Sequence, residues 1–178
     1  MKTKTLKYLG LVALLVLVSG KARAVDYFDG TITVTPVCSV SLNLSPDTYA
    51  FGNLDVNSSS NSATALNLSN TGNVNVSVAK VIQTNPANWT AVASTGTVDQ
   101  YTLYCATAAS RIALTEFGTG TKFGAQANSS ALTAANGVSS PAIAVAGNVD
   151  LWFRLDMPTS VSLQAAQTIT VRFTATAQ

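Results

Sequence analysis

The sequence contains no histidine and only two cysteines, Cys38 and Cys105. Without histidine, Ser-His-Asp and Cys-His nucleophilic schemes fall away, as do the commonest general base and most zinc sites. A glycosidase would need two carboxylates flanking one bond. Glu116 is the only glutamate, and the aspartates sit mostly beside turns or on polar strand faces. Asp150, Arg154 and Asp156 share one face of a strand pattern, where a surface ion pair contributes little. Asn53, Asp55 and Asn57 alternate and could offer oxygens to Ca²⁺; polar positions on a solvated strand are the better reading. We therefore expect no enzyme, no cofactor and no metal.

The two cysteines carry structural chemistry instead. Both fall on the apolar face of an alternating pattern, in a chain whose start reads as an export signal. A Cys38–Cys105 disulfide would persist outside the cytoplasm. On the loop-entropy model it adds roughly 4 kcal/mol. Two buried free thiols are the alternative. Trp152 is the other residue to weigh. Leu151 and Phe153 point inward, so Trp152 faces out beside Arg154. With Tyr104 it could form a sugar-stacking or partner-binding surface; alternatively, the segment 115–147 covers it.

The export reading rests on residues 1–24. Lys2, Lys4 and Lys7 precede an apolar core from Leu9 to Val18, and Ala22-Arg23-Ala24 is an A-x-A cleavage site. That is a secretory signal peptide, too short in its apolar run for a membrane span. No second long apolar stretch follows, so we expect a single domain over 25–178 without a transmembrane span, secreted, periplasmic or at the cell surface. Five of the ten basic residues lie within the first 24 and all eight acids lie beyond, so cleavage turns a formal charge of +2 into −3. Lys80, Arg111, Lys122, Arg154 and Arg172 are scattered. A nucleic-acid partner needs a clustered basic footprint, and that class is excluded.

The elements that must position these residues are strands. From Thr31 to Leu44, Ile32, Val34, Pro36, Cys38, Val40, Leu42 and Leu44 alternate with polar residues, Val37 excepted. Period two means a half-buried strand, or two strands broken at Pro36. Further strands are expected at 49–56, 63–69, 73–82, Trp89–Ala93 and Gln100–Thr107, with two more around 149–157 and 168–175. Asn70-Thr71-Gly72-Asn73 should close a tight hairpin. In the segment 115–147, 23 of 33 residues are Gly, Ala, Ser, Thr or Asn. It reads as a long surface excursion, or as one hiding a short helix at Ser129–Ala135 and a strand at Ala142–Ala146. Short strands with one polar face imply an all-β fold, an antiparallel immunoglobulin-like β-sandwich of about seven to nine strands.

Two resemblances sharpen this. Tyr49-Ala50-Phe51-Gly52-Asn53-Leu54-Asp55-Val56, then Ser58 to Ser60, then Leu66-x-Leu68-x-Asn70-Thr71-Gly72-Asn73, resembles immunoglobulin-like modules of the ASPM–SPD-2–Hydin type over residues 44–82. Phe51 would plug the core and Gly52 would let the chain bend between sheets. The resemblance implies a scaffolding or adhesive domain without catalysis. Phe28, Gly30, Ile32 and Val34, alternating just before Cys38, resemble the donor segments of chaperone–usher pilins. That resemblance implies strand donation to a neighbouring subunit; the wide cysteine spacing and the Thr-Ala-Gln ending depart from the pilin pattern. The expected function is a structural or adhesive protein whose partners are its own copies or other surface proteins. The alternatives are a pilus or filament subunit and a glycan-binding module.

Overall fold

The computed structural model describes residues 29–94, 96–135 and 142–178. The expected signal peptide and Phe28 lie outside the described residues. The chain divides into two units after Pro36, and all the strands lie in the second, Val37–Gln178. No helix among the described residues is long and apolar enough to cross a membrane.

The fold is all-β. Its strands are β1 (Leu42–Ser45), β2 (Ser59–Asn61), β3 (Leu66–Asn70), β4 (Val76–Thr84), β5 (Thr90–Ala91), β6 (Gln100–Thr107), β7 (Ser130–Ala131), β8 (Thr133–Ala134), β9 (Asn148–Asp156) and β10 (Thr170–Ala177). One mixed sheet runs β1-β3-β9-β6-β5, with β2 also on β9 and β8 on β6. The other, antiparallel, runs β10-β4-β7. Period-two patterning explains how the sheets meet. Leu66 and Leu68 of β3, Val76, Val78 and Ile82 of β4, Leu103 and Cys105 of β6, and Leu151, Phe153 and Leu155 of β9 join one buried cluster. Burying each such side chain contributes about 1.5–3 kcal/mol, so this cluster is the main source of stability.

Several expected elements differ. The strand expected from Thr31 begins only at Leu42, and residues 29–41 are exposed. Alternation specifies which side chains share a face, but a strand also needs a partner ladder. Residues 49–56 form no strand. Tyr49, Phe51 and Leu54 nonetheless pack on the core, and Gly52 turns the chain at φ +76°. Asn70–Asn73 does not close a hairpin, because β3 and β4 belong to different sheets. Asn70 is instead buried in the crossing: its Nδ2 donates to the carbonyls of Val74, Ile143 and Ala144, and its Oδ1 accepts from the Gly72 N–H. The helix expected at Ser129–Ala135 is a pair of two-residue strands. β7 pairs with β4 and β8 with β6, with buried Leu132 between them, so the segment spans both sheets and cannot coil. The strand expected at Ala142–Ala146 is a single bridge from Ile143 to Val76.

Candidate functional site

Two surfaces could meet a partner, and they contrast. The first lies where the two sheets end. Among the described residues β1 pairs only with β3, and β10 only with β4, so each presents a free edge. Free edges invite pairing with another chain. Leu42 and Leu44 of β1 and Val171, Phe173 and Ala175 of β10 face inward, yet all remain only half-buried. Between these rows lies a gap of about 300 Å³, floored by Leu68 and rimmed by Gln83 and Arg172. Each row keeps the alternation of a core strand without the cover of one.

The second surface is the outer face of β6 and β9. Antiparallel register sets Tyr104 opposite Arg154 and Ala106 opposite Trp152, so Tyr104 and Trp152 share that face. The orientation matches the expectation from Leu151 and Phe153; the exposure does not. Trp152 and Tyr104 are only 8% and 6% exposed. Ile112 and Phe117 pack over them, and Trp152 Nε1 donates to the Ala108 carbonyl at 3.0 Å. The Tyr104 ring has Phe117 edge-on at 6.1 Å, the Arg154 guanidinium at 4.8 Å and the Lys122 amine at 5.5 Å. Its hydroxyl donates to Asp156 Oδ2 at 3.0 Å. Burial, reinforced by the Asp156 charge, pushes that hydroxyl up to about 12. The covering loop is tied down from β2 and β9: Asn61 Nδ2 donates to the Ile112 carbonyl at 2.6 Å, and Arg154 Nη1 to that of Leu114 at 2.7 Å. A glycan cannot stack on rings so covered, and the proposed binding surface at Trp152 and Tyr104 is corrected on that ground.

The expected disulfide is absent as well. Cys38 and Cys105 are free thiols. Cys105 lies in the core, where burial pushes its thiol up to about 12. Cys38 is exposed in the stretch preceding β1. The sequence pattern that put them on a common apolar face assumed a strand through residue 38, and that strand begins at Leu42. Gly30, Ile32 and Val34 are described, with Ile32 95% and Val34 82% exposed.

Lys80 had counted only as one scattered basic residue. Alternation along β4 places it inward between Val78 and Ile82, fully buried. Its Nζ donates to the carbonyls of Ala131 at 3.0 Å and Gly120 at 3.3 Å, with the Phe123 ring at 5.8 Å. Burial holds its pKa below the usual lysine value. The parity of Lys80 with Val76, Val78 and Ile82 was the available signal. The amine fastens the excursion to the sheet.

Compared with protein-family models, curated proteins and solved structures, the chain finds no match.

Proposed function

We propose that the chain is an exported, non-catalytic structural subunit, an immunoglobulin-like sandwich that assembles when the N-terminal segment of one copy fills the open edge of the next. One observation carries the reading: the inward rows of β1 and β10 stand half-buried on either side of a gap, each with an unpaired backbone edge. A strand laid there would satisfy both edges and cover both rows. Ile32 and Val34 supply the complementary pattern, exposed apolar side chains two residues apart, as alternate positions of an inserted strand require. Burying each contributes roughly 1.5–3 kcal/mol. The glycan-binding alternative loses support because Trp152 and Tyr104 are covered.

Deleting residues 25–35 tests the reading. The truncated chain should fold, stay monomeric in light scattering, and melt higher when a peptide of residues 25–36 is added. Assembly of the truncated chain at wild-type concentrations would sink it.

A further inference from the structure

We infer that a clamp at Thr71–Asn73 forces this docking to occur between copies and not within one. The inference rests on the strand-donation reading and adds what selects the acceptor. The clamp grips the stretch just before β1. The Asn73 side chain behaves like a peptide unit: its Oδ1 accepts from the Ser39 N–H at 2.7 Å and its Nδ2 donates to the Val37 carbonyl at 2.8 Å. The Asn73 and Thr71 N–H groups donate to the carbonyls of Ser39 and Ser41, both at 3.0 Å. Thr71 Oγ1 donates to Ser41 Oγ at 2.8 Å. Gly72 permits this closeness, since a Cβ there would lie 2.3 Å from the Ser39 carbonyl oxygen. Residues 37–41 are therefore held along the inter-sheet crossing and cannot form a turn.

That constraint decides the register. To lie along the open edge of its own β1, the arm must fold back as a hairpin, because a parallel return needs a long crossover. With Val37 held, the tightest turn uses Thr35 and Pro36. It sets Val34 opposite Val37 and Ile32 opposite Ser39, and it brings the carboxylate of Asp29 opposite Leu42. Neither apolar residue reaches the gap. Freeing the stretch changes this: a three-residue loop at 37–39 puts Val34 opposite Leu42 and Ile32 opposite Leu44, filling the chain's own gap. A second copy's gap has no such register constraint. Asn73 and Gly72 are thus positioning residues for assembly.

The test uses the full chain with Asn73→Ala, which removes both side-chain bonds, and Gly72→Ala, which pushes the stretch off by contact. Each should lower the assembled fraction at fixed concentration by about tenfold, the effect of one to two lost hydrogen bonds. The accumulating monomers should melt higher than the chain lacking residues 25–35, and adding Val34→Asp to either variant should abolish that gain, the mark of a self-filled gap. Wild-type assembly by both variants, or monomers that melt like the arm-deleted chain, would overturn the clamp alone. A wild-type chain that never assembles, and an arm-deleted chain that gains nothing from the 25–36 peptide, would sink the strand-donation reading and the clamp with it.

Discussion

The outer face of β6 and β9 and the edge between β1 and β10 are built from similar material with opposite results. Both present apolar or aromatic side chains at alternating positions. On the outer face a loop closes over Tyr104 and Trp152; its Ala108 carbonyl accepts from Trp152, while Asp156 of β9 itself accepts from the Tyr104 hydroxyl. At the edge, Leu42, Leu44, Val171 and Phe173 stay only partly buried. An amphipathic strand face is inert once covered and sticky until then. The contrast gives Tyr104 and Trp152 a packing role and, on the proposed strand-donation reading, leaves assembly to the edge residues, the reverse of what residue type alone suggests.

Substitution can break that contrast most forcefully at Trp152. Trp152→Ala should cost about 3–5 kcal/mol, as for a large buried aromatic, and lower the thermal midpoint sharply. A small change would mean that the loop does not cover it. Next in size is the response to alkali. The Cys105 thiol is raised from 9.0 to about 12 by burial. The unfolded chain therefore loses its proton first, so this contribution is fully present below pH 9 and lost as pH rises toward about 12. Chemical denaturation across that window should show a few kcal/mol lost, and Cys105→Ala should remove the part that begins near pH 9. Tyr104, raised from 10.0 to about 12, should leave a further decline beginning near pH 10. In the same native protein a thiol reagent should label Cys38 rapidly and Cys105 only on unfolding; slow labelling of both would contradict the burial difference.

Phe173→Ala sharpens the comparison from the open side. With its ring only half-buried, the monomer should lose about 1–2 kcal/mol, below the usual range for a buried phenylalanine, while assembly falls much more. A monomer loss as large as that for Trp152→Ala would mean that the edge is already closed. Smallest of all, Tyr104→Phe removes one hydrogen bond to Asp156, at about 1 kcal/mol, measurable as a modest drop in denaturation midpoint.

Most of the fold was legible because alternation is local. Leu66/Leu68, Val76/Val78, Leu103/Cys105 and Leu151/Phe153/Leu155 read as inward from their own neighbours, and they are. What a sequence cannot carry locally is the partner. The same alternation runs through Ile32 and Val34, which have no strand, and through Leu42 and Leu44, which have one neighbour instead of two. Trp152 was legible in direction, and the cover weighed for it from 115–147 is there in Phe117 and Ala135; the share from Ala108 and Ile112 was not, because that stretch has no periodicity. Lys80 was missed because its charge outweighed its parity, although two carbonyls and a ring were waiting for the amine. Asn70 to Asn73 was legible as a turn but not as a crossing between sheets, since turn chemistry does not say which strands it joins.

Arg172 stands exposed on β10, at the rim of the gap, whereas Lys80 is sealed inside. Among the described residues a trypsin-like protease has five basic positions to attack: Lys80, Arg111, Lys122, Arg154 and Arg172. Of these, only Arg111 and Arg172 are exposed. A strand seated beside β10 would shield the second while leaving the first open. The ratio of nicks after these two arginines thus gives a digest-based gauge of how many edges are filled.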